Sequence, residues 1–159
     1  LFLIFLACKT VIVPIKDLEY ENLIYYKNGI PFSGTAGNYF DDKNSISFFS
    51  KFKDGIPSGE WQSLGFDGEI IQYGTFNPQL IDEEIYYKSK KILINRINFI
   101  EFYEGEHAIL YFSLLTDEID REVEIEDMEI KKFAISKLPV RIDINKFAEL
   151  KFLITNTEF

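Results

Sequence analysis

Two stretches of this chain echo each other roughly twenty-five residues apart, and that echo constrains the fold more than any other feature. Tyr26-Lys27-Asn28-Gly29-Ile30-Pro31-Phe32-Ser33-Gly34 is followed by Phe52-Lys53-Asp54-Gly55-Ile56-Pro57-Ser58-Gly59, and the second copy runs on into Glu60-Trp61. Each copy of an internal repeat is one supersecondary unit leaning on its neighbour, so the pattern fixes architecture before any single residue does. Both copies carry Asn-Gly or Asp-Gly, the pairs favoured in two-residue hairpin turns where both central residues need positive φ. Phe66-Asp67-Gly68 offers a third turn, and Asp41-Asp42-Lys43-Asn44 stands where a fourth belongs. Between the turns lie short aromatic runs: Leu23-Ile24-Tyr25-Tyr26, Ile46-Ser47-Phe48-Phe49 and Ile70-Ile71-Gln72-Tyr73. With 16 Phe and 9 Tyr among 159 residues, the chain is rich in side chains that suit half-buried pleated surfaces. A string of antiparallel hairpins is the expected result.

The order aromatic-Lys-(Asn/Asp)-Gly-x-x-x-Gly-x-Trp, then aromatic-Asp-Gly and Gly-x-Phe, resembles bacterial MORN-type repeats. Those positions are Phe52-Lys53-Asp54-Gly55, Gly59-Glu60-Trp61, Phe66-Asp67-Gly68 and Gly74-Thr75-Phe76. The first copy departs from the pattern, with Gly34-Thr35-Ala36 at the Gly-x-Trp position and Lys43 at a turn glycine. The resemblance covers residues 20–76. It implies hairpins stacked side by side into an elongated sheet, aromatics laddered along one face, and structural repeat positions at Gly29, Gly34, Gly55, Gly59, Trp61 and Gly68. Bacterial proteins of this kind are described as antitoxins or as surface lipoproteins.

Leu1 to Ala7 is an unbroken apolar run directly before Cys8, the one cysteine in the chain. A lone cysteine excludes an intrachain disulfide and a thiolate metal site. The run is too short to span a bilayer but matches the apolar region of a signal peptide. Phe5-Leu6-Ala7-Cys8 resembles the cleavage box of a bacterial lipoprotein signal, which implies that Cys8 becomes the first mature residue and carries lipid. Residues 1–8 then read as a truncated signal with its lipidation cysteine, and residues 9–19 as a tether. Attached acyl chains anchor a protein to a membrane durably when there is more than one. The expected address is the bacterial cell envelope, the outer membrane rather than the inner, since Lys9 supplies no acidic retention signal. The competing reading is a buried first strand with a core cysteine.

Asn77-Pro78-Gln79 closes the repeats. Residues 77–159 contain no glycine except Gly105 and read as a second, β-rich unit. Expected strands lie around Ile92–Phe102, His107–Leu115, Val123–Ile125, Phe133–Ile135, Val140–Ile144 and Leu150–Ile154, with Glu104-Gly105-Glu106 as a turn. Regularly spaced short strands predict a β-sandwich. Within residues 117–132 an acidic start and a basic end suit a short helix instead. The fold class is therefore mainly β: a MORN-type hairpin sheet followed by a sandwich-like C-terminal domain.

A net charge of −9 disfavours nucleic acid, whose phosphates require clustered Lys and Arg. Phe52, Trp61, Phe66 and Tyr73 are expected to ladder along one sheet face as core, while Tyr25, Tyr26, Tyr39 and Tyr73 suit exposed binding positions, because a phenol tolerates water at its tip. Glu122, Glu124 and Glu126 would share one face of a strand. Such an edge can dock a basic partner, hold a calcium ion loosely or simply resist aggregation. His107 beside Glu104 and Glu106 lacks the further ligands of a zinc site. No nucleophile–base constellation emerges, so no catalytic residue, metal or cofactor is assigned. The expected function is non-enzymatic: an envelope lipoprotein that binds an unknown protein or glycan and meets the membrane through its lipid. The alternative is an antitoxin or immunity protein that covers a toxin's active site. A carboxylate hydrolase ranks below both.

Overall fold

The computed structural model describes residues 11–41 and 44–158. Cys8, the apolar run before it, and Asp42-Lys43 of the expected fourth turn lie outside the described residues. The strands are β1 (Ile12–Pro14), β2 (Glu19–Glu21), β3 (Ile24–Lys27), β4 (Ile30–Pro31), β5 (Gly34–Tyr39), β6 (Ile46–Lys53), β7 (Ile56–Leu64), β8 (Ile70–Tyr87), β9 (Lys90–Glu104), β10 (His107–Leu115), β11 (Val123–Glu124) and β12 (Glu149–Thr155). One helix, α1 (Met128–Ser136), interrupts them. The protein is mainly β. Nine strands form one sheet in the order β1-β5-β6-β7-β8-β9-β10-β12-β11, and β2-β3-β4 form a small second sheet.

The glycine turns behave as the echo predicts. Asn28-Gly29 and Asp54-Gly55 both place two consecutive residues at positive φ (53° and 73°, 51° and 79°), the geometry that matches the twist of paired strands. Gly55 is required twice over. A Cβ there would lie 2.4 Å from Ile24 Cγ2 and 2.7 Å from the Tyr25 carbonyl oxygen. Through that gap the Tyr25 amide donates to the Gly55 carbonyl at 2.9 Å, and the Gly55 amide donates to the Phe32 carbonyl at 2.7 Å. The tip of one echoed hairpin is thus bonded to the strand that opens the other. Asn22-Leu23 and Lys88-Ser89 also place paired residues at positive φ and carry no glycine to announce it.

Three expectations give way to the structure. Of the expected tether at residues 9–19, the described part from Val11 on is structured: β1 pairs in parallel with β5, matching Ile12 to Thr35, and Leu18 is buried beside Phe32, Ala36 and Phe52. The β-branched Val11-Ile12-Val13 favours extended backbone, and Val13 and Ile15 pack on the same cluster. Nor does the sheet stop at Asn77-Pro78-Gln79, because β8 runs straight through them and stays paired with β9 as far as Tyr87–Lys90. Pro78 is tolerated because β7 pairs with β8 only as far as Gly59–Phe76. Beyond that point one side of β8 is an edge, where a missing N–H costs nothing. The second half therefore continues the first sheet, where a sandwich would stack another sheet on it.

Phe133–Ile135 and Val140–Ile144 are likewise not strands. Phe133–Ile135 lies in α1, and Val140–Ile144 forms a turn and the start of a short 3-10 segment. The reason is topological. β10 and β12 are parallel neighbours, and joining parallel strands takes a crossover of a dozen or more residues, usually helical. The Asp127 carboxylate caps α1, accepting from the amides of Glu129 at 2.9 Å and Ile130 at 3.1 Å. Ile130 and Ala134, one turn apart, are the buried residues of the helix, and Phe133 packs against the same core.

Alternation along the strands gives the sheet two different sides. One side, the helix side, carries Phe99, Leu110, Phe112, Leu114, Phe152 and Ile154 under α1 and its flanking loops. The register of β8 and β9 shifts between Leu80 and Glu83, and Ile94 and Ile97 on β9 both belong to this core. The other side, the tryptophan side, carries Trp61, Phe76 and Ile100. Further along it, the small sheet covers Ala36 and Phe52.

Candidate functional site

On the tryptophan side, Phe48, Trp61, Ser63, Gln72, Phe76, Ile100, Phe102 and Tyr111 line a hollow of about 230 Å³ that opens to solvent. These positions fall together by register: Phe48 opposes Ser63, Trp61 opposes Gly74, Gly74 opposes Phe102, and Ile100 opposes Tyr111. The Trp61 ring lies 6.1 Å from Phe48, 6.1 Å from Phe76 and 5.6 Å from Phe102, all tilted. Phe102 meets Tyr111 edge-on at 6.0 Å. Aromatic pairs at such distances and angles favour each other beyond their burial alone.

Gly74 explains how the indole sits. A Cβ on Gly74 would lie 1.7 Å from the Glu101 carbonyl oxygen and 2.8 Å from Trp61 Nε1. Without one, the indole lies across β8, and Nε1 donates to that same carbonyl on β9 at 3.2 Å. The ring is 5% exposed, so its one polar atom is satisfied and its remaining surface is apolar. Ser63 and Gln72 supply the hollow with hydroxyl and amide groups. Lys151 Nζ stands 5.6 Å from the Tyr111 ring centre just beyond it.

Of the expected ladder, Phe52 and Trp61 share this side. Phe66 and Tyr73 do not join them: Phe66 is exposed at the β7–β8 turn against Phe40, and Tyr73 stands on the helix side, stacked on Tyr103 at 5.3 Å and 16°. The actual ladder is Phe48, Trp61, Phe76, Phe102 and Tyr111. Pairing Trp61 with Gly74 is what sends Tyr73 the other way.

The candidate tyrosines are dispersed. Tyr25 and Tyr26 are half-buried on β3, with Tyr25 packed between Tyr20 and Phe52. Burial raises the Tyr25 phenol above its usual range, with the Arg96 charge opposing. Tyr39 donates to the Ile12 carbonyl at 3.1 Å and fastens β1. Tyr73 is the most open of the four, at 47% exposed. Beside it the Tyr103 phenol is pushed up to about 12 by burial and by its hydrogen bond to Glu101. Gly29, Gly55 and Gly68 occupy turns, Gly34 opens β5, and Gly59 lies within β7. Glu122, Glu124 and Glu126 are all exposed, Glu124 on the edge strand β11. His107 opens β10, 3.8 Å from Glu149. Among the described residues no group of three His, Cys, Asp or Glu is placed to hold a metal ion.

Sequence reasoning missed Arg96. It is 2% exposed, with Nη1 and Nη2 donating to the Leu23 carbonyl at 3.3 and 3.2 Å and Nη2 paired to the Glu158 carboxylate. Asn98 donates to the same carboxylate at 3.2 Å. Burial lowers the guanidinium to about 10, with Tyr20 and Tyr25 pulling the other way, so it remains charged at neutral pH. A charged residue inside Ile92-Leu93-Ile94-Asn95-Arg96-Ile97 was the available signal, since charges are almost never fully buried unless paired. No family model, no curated protein and no solved structure matches the chain.

Proposed function

We propose that this protein is a non-enzymatic binding module of the bacterial envelope, anchored through lipid on Cys8 and recognising a partner through the hollow around Trp61. The hollow carries the reading. It is aromatic on most sides, uncharged on its lining, and polar where Ser63 and Gln72 meet solvent. At about 230 Å³ it falls below the roughly 300–1,000 Å³ typical of small-molecule sites. It has room for one large side chain, and we assign it to an aromatic or aliphatic anchor residue of a partner protein, the usual centre of a protein–protein hot spot. The MORN-type resemblance of residues 20–76 and the lipoprotein-like Phe5-Leu6-Ala7-Cys8 supply the structural and envelope parts of the proposal.

A photo-crosslinking residue at Gln72 tests the hollow in the native bacterium. A discrete adduct is expected, and it should vanish when Ser63→Trp fills the space. Adducts no stronger than those from exposed Lys146 would sink the proposal. Intact mass of the chain expressed in a bacterium behind a complete signal tests the anchor: a species starting at Cys8 with added acyl mass, lost in Cys8→Ala, supports it, and an unmodified soluble chain does not. A second reading, an antitoxin docking a basic toxin, is favoured by the exposure of Glu122, Glu124 and Glu126 beside β11. Reversing all three to Lys should abolish toxin neutralisation while leaving the Gln72 adduct intact.

A further inference from the structure

The helix side of the sheet is covered under α1 but open over β5 to β8. One row there reads Gly37, Phe49, Gln62, Tyr73 and Tyr103, each opposite the next by register. Gly37 is the low position of this row, and Tyr73 and Tyr103 stand side by side as a stacked pair. Phe49 and Tyr73 stand on either side of Gln62, and the Gln62 amide makes no hydrogen bond among the described residues. Adjacent strands lie about 4.8 Å apart, so β6 and β8 are separated by about 9.6 Å. A flat ring held between two walls needs contacts of about 4 Å on each side. That spacing takes one such ring when the Gln62 side chain lies flat between the walls. Beyond Phe49, Gly37 leaves a cleft of about 630 Å³ lined by Ile12, Pro14, Lys16 and Tyr39 among others.

Polar groups edge the slot. In the neighbouring row Lys51 donates to Glu60 at 2.6 Å, and Glu60 opposes Thr75, which opposes Glu101. Glu101 is held from two sides, by buried Asn77 at 3.2 Å and by the Tyr103 hydroxyl at 3.1 Å. Its carboxylate is therefore fixed in place beside the aromatic walls.

We infer that this side of the sheet binds a neutral polysaccharide laid across the strands, with one pyranose in the slot between Phe49 and Tyr73 over Gln62 and the chain continuing into the cleft above Gly37. A pyranose presents apolar C–H faces and a rim of hydroxyls. Aromatic walls suit the faces, and a free amide with fixed carboxylates suits the rim. An extended peptide finds little purchase here: from β5 to β8 the backbone groups are already paired, and the edge beside the cleft, β1, is three residues long and ends in Pro14. Anionic chains are disfavoured because Lys51 is already paired with Glu60, Glu101 lies on the next strands, and Lys16 in the cleft shares its lining with Asp41. The site lies opposite the Trp61 hollow and stands independently of it.

Calorimetric titration of the full chain with cellohexaose, maltohexaose and chitohexaose tests the inference. At least one should bind with a Kd below about 1 mM. Tyr73→Ala and Gln62→Ala should each weaken binding about tenfold or more, whereas Tyr73→Trp should retain it. Ser63→Trp, on the opposite side, should leave it unchanged. Tyr73 is largely exposed, so its unfolding midpoint serves as the folding control. Absence of heat with all three sugars at millimolar concentration overturns the inference. So does binding that survives Tyr73→Ala, or a preference for polygalacturonate over all three neutral chains.

Discussion

Trp61 and Arg96 sit on the same side of one sheet, both nearly inaccessible, and they stabilise it in opposite ways. Trp61 is neutral, its single N–H is satisfied by a carbonyl two strands away, and everything else about it is apolar burial among neighbouring aromatics. Arg96 brings five donors and a full charge. Its partners come from the far ends of the described chain: Leu23 in the turn between β2 and β3, and Glu158 after β12. Its Nε makes no hydrogen bond among the described residues, nor does the Asn98 side-chain oxygen. The Trp61 region is held by near neighbours on adjacent strands, so its losses should be graded. The Arg96 region is a staple between remote segments, and removing one arm leaves a charge stranded.

Glu158→Ala is the sharpest way to break that comparison. Removing one partner of a buried ion pair costs about 3–5 kcal/mol, because the other charge stays buried and unpaired. We expect a urea midpoint lowered accordingly, and faster hydrogen exchange in β2 and β3, which the same guanidinium holds through Leu23. Pairing Arg96→Met with Glu158→Leu should restore stability or exceed it, since apolar replacements of buried ion pairs are often neutral or better. A double variant as weak as Glu158→Ala alone would show that the cost lies in packing and not in charge.

Gly74→Ala should come next, at about 3 kcal/mol, the upper end for overpacking. The clashing atom is a backbone carbonyl within a paired strand, which cannot rotate aside. Trp61 is the one tryptophan, so its emission reports the site directly. A shift to longer wavelength is expected as the indole is pushed from its place over β8. Unchanged emission and stability would contradict the account of Gly74 given by the geometry. Trp61→Phe removes the hydrogen bond and some ring volume without a clash, and should cost less, about 2 kcal/mol.

The contrast also separates what was legible in the residues from what was not. Asn28-Gly29 and Asp54-Gly55 announce their turns because glycine marks positive φ. Leu23 adopts φ of 62° at a cost of about 1–2 kcal/mol, and nothing local reveals it; the carbonyl it presents to Arg96 comes from a distant part of the chain. The hollow was half-legible. Trp61 stood out, but its neighbours depend on which residue of β8 faces it, and a one-residue difference in register exchanges Tyr73 for Gly74. Pro78 read as a boundary because proline rarely sits inside a sheet, and only the length of β7 reveals that β8 is an edge there. The helix was half-visible in the acidic start and basic end of residues 117–132, yet α1 runs on to Ser136, and Phe133 and Ile135 resemble strand residues until the parallel β10–β12 pairing demands a crossover.

The smallest predicted effect concerns alkali and the tyrosine that covers the Arg96 staple. Tyr20 packs on Tyr25 with ring centres 4.5 Å apart, and its hydroxyl donates to the Asn156 carbonyl at 3.2 Å. Burial, followed by the neighbouring Tyr25, pushes its phenol up to about 12, with the Arg96 charge partly opposing. In the unfolded chain the same phenol ionises near 10. The folded chain therefore keeps the proton longer, and the phenol's contribution to stability is full below about pH 10 and drains away as pH rises towards 12. Arg96 acts in the other direction over the same range, since its folded guanidinium releases a proton sooner than an exposed one. Tyr20→Phe removes the first effect and keeps the second. Wild type should lead the variant slightly at about pH 9, by roughly the 0.5–1.5 kcal/mol of one hydrogen bond. That lead should shrink between about pH 10 and pH 12. Urea midpoints of both proteins across this range would measure it, and a constant gap would mean that Tyr20 ionises alike in the folded and unfolded chains.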